Sequence, residues 1–560
     1  MMANLILLLE RRSSEIDATF VKSQIGNSTT VVSAMVPSYS PEIGLDREEW
    51  SGAHHQHGVD LARTENDLKL RDIVLVTIPK PITSYLGLLH VWTSPESTYD
   101  IDAVRIPWEQ VKKDLVDLGE ERGGLGAQQA LKWKPDSRNN PQGKNPTNFW
   151  SFSQLPSNVS RPITKYWFGV GETAESSVII TLSSGIELEA FERLLNAHSS
   201  EGASVQIWAD DDDFQILCEM IEMKGRVVSR IPEGNSDVYE PIDNEIEDLP
   251  YDEAEKREAI KWEDGHGLSV SAIFQDCRQG ISQHEGAPIS HVVTSPPYNI
   301  RYDPFNTTTI KVEAGIVSRS TTAKLNTEPG VEFSTFELAE GVEASPVTKE
   351  RPSLGAQTPD RSQYNDDLSP GQYNFLLKSC FEEIDKKAGA DAFDLFLNIK
   401  SNYEGGSCTL PFYMLDLMPE RWRLLDVLIW RYDISFDPGR GKYKPLYEWI
   451  IRVGFGNVDL PKISMMDWYI PILKGNDKER KNLKHPAIFP RKLVRMCLNE
   501  SNRSASLVLD PFLGSGTTLA ACLEAGVDGL GFELSEDFSH DILLRIETAA
   551  RLGNGVLRRA

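Results

Sequence analysis

The chain has 560 residues, enough for two or three domains with cores of their own, and its 40% hydrophobic and 25% charged content is ordinary for a soluble globular protein. A formal net charge of -25 weighs against tight non-specific binding to a polyanion, although a local basic face can coexist with acidic surfaces elsewhere. The six cysteines (Cys218, Cys277, Cys380, Cys408, Cys497 and Cys522) form no CxxC pair, which argues against a disulfide framework and a zinc site; no metal is expected.

The first apolar run, Leu5–Leu9, is too short for a membrane span or a signal core and runs into Glu10-Arg11-Arg12, so a cytoplasmic protein is expected. Residues 1–70 show little periodicity and read as an irregular segment, with His54-His55-Gln56-His57 as a solvated loop rather than a metal tract. From 71 to 232 the pattern sharpens into a mixed α/β region, with strands predicted at 73–78, 86–92 and 177–182 and a helix at 187–195. Inside it Lys132, Lys134, Arg138 and Lys144 are interleaved with Trp133, Phe149, Trp150 and turn residues. That composition suits a loop tracking phosphates, and an ordinary exposed basic loop accounts for it as well. The run Asp210-Asp211-Asp212-Asp213 reads as a solvated acidic loop. Residues 233–264, dense in Asp and Glu with Pro241 and Pro250 among them, have the composition of a linker and mark a domain boundary.

Residues 265–555 read as a doubly wound α/β domain. Strands are predicted at 268–274, 289–293, 393–399, 427–430 and 448–453, and helices at 371–387 and near 414–425; this alternation implies a largely parallel sheet. Residues 303–370, rich in Thr, Ser, Glu and Gly, read as a long insertion, either a loop or a small β excursion.

Two stretches of this domain carry chemistry. The strand at 289–293 runs into Thr294-Ser295-Pro296-Pro297-Tyr298, and two prolines cannot continue a ladder, so the chain turns there. Alone, this is equally well a strand ended by a proline turn. A second buried strand runs through Asp510-Pro511-Phe512-Leu513-Gly514-Ser515-Gly516-Thr517-Thr518 into a helix, and the next strand ends in Glu533. Gly514 and Gly516 let backbone approach a ligand, the helix start offers free N–H groups, and a strand-end acid at that spacing is placed to accept from ribose hydroxyls. Strand, glycine turn, helix and acid together favour a nucleoside ligand. Asp510 suits a cationic group better than a pyrophosphate. Between the two stretches, His485-Pro486-Ala487-Ile488-Phe489-Pro490 reads as a helix start that could close over a ligand.

In these residues the chain resembles the DNA amino-methyltransferases of the permuted β class, in which the catalytic motif precedes the cofactor motif. TSPPY (294–298) is similar to their catalytic motif, HPAIFP (485–490) to the cofactor-capping motif and DPFLGSGTT (510–518) to the cofactor loop. Glu533 matches the ribose-binding acid, and Asp276 the acid that precedes the catalytic strand on the adenosine side. The resemblance covers about 265–555 and implies a Rossmann-like methyltransferase sheet with S-adenosylmethionine as cofactor. It implies catalytic roles for Ser295, Pro296, Pro297 and Tyr298. It assigns cofactor binding to Asp276, His485, Pro486, Phe489, Asp510, Pro511, Phe512, Gly514, Ser515, Gly516, Thr517, Thr518 and Glu533. The implied substrate is a base flipped out of double-stranded DNA. Ser at the first catalytic position leans to cytosine N4; adenine N6, an RNA substrate and a non-catalytic binding module are the alternatives. A restriction-modification or defence context, with a cognate endonuclease as partner and the nucleoid as working location, is implied in the same way. The segment 456–484, where such enzymes carry target recognition, is short, which moves recognition to the N-terminal half or to the 303–370 insertion. The N-terminal half, low in motif content, is expected to serve target recognition with Lys132, Lys134, Arg138 and Lys144 on DNA, or to be a degenerate methyltransferase-like piece.

Overall fold

The computed structural model describes the strands of the first 150 residues with positions 47, 50 and 100, then 188–208, 211–230, 246–249, 259–264 and 266–298. It further describes 308–313, 316–321, 335–337 and 368–559, apart from 391, 405–406, 410, 433–445, 459–466, 476, 486, 502 and 551–555. The expected strand at 177–182, the basic stretch 132–146 and Pro486 lie outside the described residues.

A seven-stranded sheet is formed by the N-terminal half: β1 (Leu5–Leu9), β2 (Thr30–Met35), β3 (Lys69–Ile78), β4 (Tyr85–Thr93), β5 (Phe149–Trp150), β6 (Ser204–Trp208) and β7 (Val227–Arg230). Its spatial order is β5-β3-β4-β2-β1-β6-β7. The segment expected to be irregular therefore supplies β1 and β2 to the same sheet as β3 and β4, and no boundary falls at 70. Both strands are short and are parallel partners of one another, so neither shows the two-residue alternation of an exposed sheet face. Helix α1 (Leu188–His198) precedes β6, and α2 (Asp211–Met223) joins β6 to β7. Residues 211–213 of the acidic run predicted as a loop open α2 instead.

The C-terminal half builds a ten-stranded sheet from β8 (Ala259–Glu263), β9 (Ser269–Phe274), β10 (His291–Thr294), β11 (Ala392–Ile399), β12 (Arg423–Arg431), β13 (Tyr447–Gly456), β14 (Asp467–Tyr469), β15 (Leu507–Asp510), β16 (Asp528–Glu533) and β17 (Val556–Arg559). The order is β14-β12-β13-β11-β10-β15-β16-β9-β8-β17, and the run from β11 to β9 is parallel throughout. Strand β8 lies inside the stretch read as an acidic linker, so the domain begins before 265. Farther upstream, Ser369 Oγ donates to Glu247 and Arg278 Nη1 to the Leu249 carbonyl (2.8 Å), fastening the 246–249 piece to this domain.

Alternate residues of the central strands face opposite layers. Val292, Leu395, Leu397 and Leu509 pack with α3 (Cys277–Ser282) and α4 (Pro370–Lys387), whereas Val293, Phe396 and Val508 pack with α5 (Arg491–Glu500), α6 (Thr517–Ala525) and α7 (Ser539–Ala550). The result is a helix–sheet–helix sandwich of the doubly wound kind predicted. Ser369 and Gln372 form a capping box at the start of α4. The helix predicted near 414–425 is absent: Pro411–Leu417 is a 3-10 turn and β12 begins at Arg423. The described part of the insertion is a small antiparallel sheet, Thr308–Glu313, Ile316–Thr321 and Thr335–Glu337.

The two halves touch. Leu45, Trp50 and Leu75 belong to the same apolar cluster as α4 and β11. Arg47 donates to the carbonyls of Pro419 (2.9 Å), Trp422 (2.9 Å), Met418 (2.7 Å) and Leu415.

Candidate active site

Four adjacent parallel strands, β10, β15, β16 and β9, end at one edge of the large sheet, and every segment expected to serve catalysis or the cofactor, except the 485–490 cap, leaves from one of those ends. Parallel strands lie about 4.8 Å apart, so the turn after β10 and the end of β16 are about 10 Å apart, the scale of a nucleoside. Ser295 follows β10, Gly514 and Gly516 follow β15, Glu533 ends β16, and Asp276 follows β9.

The Thr294–Tyr298 turn is held by hydrogen bonds at both ends. Thr294 Oγ1 donates to Asp510 Oδ1 (2.7 Å), joining β10 to the glycine-loop strand. Tyr373 Oη, from α4, donates to the Pro297 carbonyl (2.6 Å). Ser295 Oγ donates to Tyr298 Oη (3.0 Å), and Tyr298 Oη donates to Glu448 Oε2 (2.8 Å). Asn398 Nδ2 donates to the same carboxylate oxygen (2.9 Å) and to Tyr298 Oη (3.0 Å). Burial, with Glu448 beside it, raises the Tyr298 phenol well above its ordinary value, so it stays protonated and donating. Glu448, Asn398 and Tyr373 were not predicted as site residues. The one available signal was an acid (Glu448) and an amide (Asn398) inside mostly apolar strands.

Asp510 is fully buried, and its other oxygen accepts from Thr518 Oγ1 (2.6 Å). Both oxygens are therefore spent on the hydroxyls of Thr294 and Thr518 and on the Phe512 N–H (3.2 Å). Asp510 thereby braces the two motif strands together. Burial pushes this carboxyl up to about 6, and the hydroxyls partly offset that rise.

Gly514 (φ 54°) and Gly516 (φ 80°) adopt the left-handed conformation that a glycine turn requires. A Cβ on Gly514 would meet His485 Nε2 at 3.0 Å, so the loop backbone and the capping segment are in close approach. Gly516 caps α6 without any side-chain cap, leaving the helix start to backbone groups. Glu533 Oε2 accepts from the Gly514 N–H (2.7 Å) and Oε1 from the Ser535 N–H (2.9 Å). Burial raises this carboxyl to about 7. Asp276 caps α3 and is ion-paired with Arg278 (2.8 Å) beside the strand that pairs with Glu533.

On the far side, Asp541 Oδ2 accepts from the Lys484 and His485 N–H groups (2.8 Å each) and so fixes the capping segment on α7. The buried His485 ring packs edge-on against Phe538 (4.4 Å), and burial lowers its pKa to about 4, so it is neutral at physiological pH. Phe489 is half-buried against the same layer. Ser515 (3% exposed), Thr517 and Thr518 are buried in the loop, and Ser515 Oγ lies 3.3 Å from Thr517 Oγ1. Pro486 and the four basic positions Lys132, Lys134, Arg138 and Lys144 lie outside the described residues. Among the described residues no cluster of three or more His, Cys, Asp or Glu side chains could hold a metal, and no helix is long and apolar enough to cross a membrane.

Residues 455–543 match the family model for N6/N4 methyltransferases described as "DNA methylase". The chain is similar to the Type II methyltransferase M.MwoI of Methanothermobacter wolfeii, 30% identical over 167 residues that make up 28% of this chain and 24% of the relative. It is also similar to the Type II methyltransferase M.SmaI of Serratia marcescens, 44% identical over 55 residues, 10% of this chain and 19% of the relative. The matches thus span a quarter or less of each of these relatives. Among solved structures, the PvuII DNA methyltransferase (cytosine-N4-specific) is 16% identical with a TM-score of 0.34, covering 50% of this chain and 90% of that one. By motif order, strand order and the family match over 455–543, the C-terminal region of the chain is similar to the DNA amino-methyltransferases.

Proposed function

We propose that the protein transfers a methyl group from S-adenosylmethionine to the exocyclic N4 amino group of cytosine in double-stranded DNA. The observation that carries this reading is the shared edge: Ser295–Tyr298 and the glycine loop with Glu533 leave neighbouring parallel strands that Asp510 braces together. The residues fit the cofactor, because the left-handed glycine turn and the uncapped start of α6 offer backbone, and the Glu533 carboxylate keeps acceptor capacity for ribose hydroxyls. When bound, the cofactor supplies an electrophilic methyl on a sulfonium.

What the chain itself contributes is positioning. An exocyclic amino nitrogen is a weak nucleophile because its lone pair is delocalised into the ring. Accepting its hydrogens at Ser295 Oγ and at the Pro296 carbonyl favours a more tetrahedral nitrogen. The base must leave the duplex stack to reach this edge. Holding nitrogen and methyl in line then contributes most of the rate enhancement. Tyr298 has its hydroxyl tied to Glu448, so its ring is held in one place for a base to stack on. No covalent nucleophile is required.

Ser295 at the first catalytic position supports cytosine N4 over adenine N6. A restriction-modification or defence setting, with a cognate endonuclease, is the context we propose, supported by the Type II names of the relatives. The N-terminal half, with Lys132, Lys134, Arg138 and Lys144, is proposed to contact DNA. Labelled S-adenosylmethionine incubated with the protein and duplex DNA should label the DNA, and Ser295→Ala should abolish labelling while cofactor affinity stays within about threefold. Unlabelled DNA with the native protein, or parallel loss of cofactor binding in Ser295→Ala, would overturn the reading.

A further inference from the structure

The two sheets of this chain repeat one another. Read across, β5-β3-β4-β2-β1-β6-β7 corresponds position for position to β14-β12-β13-β11-β10-β15-β16, and the chain visits the seven positions in the same sequence. Each neighbouring pair also runs in the same sense. The edge pairs β5·β3 and β14·β12 are parallel. The next two pairs on each side are antiparallel, and the remaining three are parallel.

Local detail repeats as well. The register of β3 shifts between Leu70 and Asp72, and that of β12 between Leu424 and Asp426. The flanking sequences are Leu70-Arg71-Asp72-Ile73-Val74-Leu75 and Leu424-Leu425-Asp426-Val427-Leu428-Ile429. The next strands open with Tyr85 and Tyr447 and carry His90-Val91 and Arg452-Val453 at the same offset. Helices α1 and α5 each contain a Leu-Asn pair near their ends (Leu195-Asn196, Leu498-Asn499), and Ala203-Ser204 and Ala505-Ser506 lead into β6 and β15. Bulges are local features tied to a fold, so a shared bulge position on top of a shared seven-strand order marks a common plan.

The chemistry is not repeated. Strand β10 leads into Ser295-Pro296-Pro297-Tyr298, whereas β1 leads into Glu10-Arg11-Arg12-Ser13. Six residues, 511–516, carry the glycine turn between β15 and α6, whereas only residues 209 and 210 separate β6 from α2. Aligned on the Ala-Ser pairs, Trp208 stands where Asp510 stands. Arg230, the last residue of β7, is ion-paired with Asp211 in the first turn of α2 (2.5 Å), tying strand end to helix start across the place where the other copy holds a loop open.

We infer that residues 1–230 are a second copy of the methyltransferase sheet that has lost both the catalytic turn and the cofactor loop, so that the chain carries one cofactor site for its two sheets. The silent copy is docked on the working one through Arg47, Trp50 and Leu75. Trp50 packs edge-on against Phe412 (4.5 Å), and Phe412 against Trp449 (5.0 Å), which neighbours Glu448 on β13.

The inference rests on the cofactor reading above, and calorimetric titration of the full chain with S-adenosylhomocysteine separates the two. One molecule bound per chain, with Glu533→Ala weakening binding at least tenfold and Arg230→Ala leaving number and affinity unchanged, is the expected result. Two molecules per chain, a site of native affinity surviving in Glu533→Ala, or loss of binding in Arg230→Ala would overturn the inference while leaving a cofactor site in place. No binding to the native chain would overturn the cofactor reading and this inference with it.

Discussion

Glu448 gives the sharpest test of how the catalytic turn is held. One of its oxygens accepts from Tyr298 Oη at 2.8 Å and from Asn398 Nδ2 at 2.9 Å, and Tyr298 Oη in turn accepts from Ser295 Oγ. Glu448→Ala removes both charge-assisted bonds and leaves a half-buried phenol and a buried amide to find new partners. A hydrogen bond to a charged group contributes roughly 1.5–3 kcal/mol net, so loss of positioning at Ser295 by even one such bond corresponds to roughly a 10- to 100-fold fall in kcat. Glu448→Gln keeps an acceptor at the same place and should recover most of that loss. Single-turnover methyl transfer to duplex DNA measures the rate, and calorimetry with S-adenosylhomocysteine measures cofactor affinity, which should stay within about twofold because Glu448 lies across the sheet edge from the glycine loop. Unchanged turnover in Glu448→Ala, or equal losses in Ala and Gln variants, would refute the chain of bonds from Glu448 to Ser295.

Cofactor affinity should depend on pH through Glu533, whose burial raises its carboxyl to about 7. Ribose hydroxyls donate to the ionised form, so binding is strongest above pH 7 and weakens as the carboxyl protonates below it, by roughly eightfold from pH 7.5 to pH 6. Titrations across that range should show the trend, and Glu533→Gln should bind weakly with none. In the sheet centre, Arg452 and Asp394 form a fully buried bidentate pair (3.0 and 2.7 Å). Asp394→Ala should destabilise the protein by about 3–5 kcal/mol in denaturant unfolding, because it strands a buried cation; a loss under 1 kcal/mol would mean that the charge finds water. Replacing Lys132, Lys134 and Lys144 with Ala should weaken DNA binding and flatten its salt dependence. Unchanged binding would remove the N-terminal half from the DNA interface.

The strand ends were legible because their residue types are dictated locally. Two prolines must end β10, and a left-handed Gly514-Ser515-Gly516 turn must separate β15 from α6. Glu448 was not legible in the same way, because its partner Tyr298 lies 150 positions away and only β13, β11 and β10 side by side bring them together. The bonds from Thr294 and Thr518 to Asp510 were not legible for the same reason: these partners come from another strand and from the helix after the loop. The apolar residues between 414 and 425 look helical in spacing, yet Arg47, hundreds of positions upstream, ties up the carbonyls of Leu415, Met418, Pro419 and Trp422 that a helix would have used. In the N-terminal half the strands at 73–78 and 86–92 were legible, but the seven-strand order was not, because strand order and a bulge are properties of backbone pairing and this half lacks the motifs that mark the other one.

The central claim is that the Ser295 turn presents a cytosine amino group to the cofactor. Duplex DNA methylated by the native protein, digested to nucleosides and resolved by mass and retention, tests it directly. N4-methylcytosine is the predicted product, absent with Ser295→Ala. N6-methyladenine would contradict the choice of base, and the absence of any methylated nucleoside from DNA incubated with cofactor-bound protein would contradict the account as a whole.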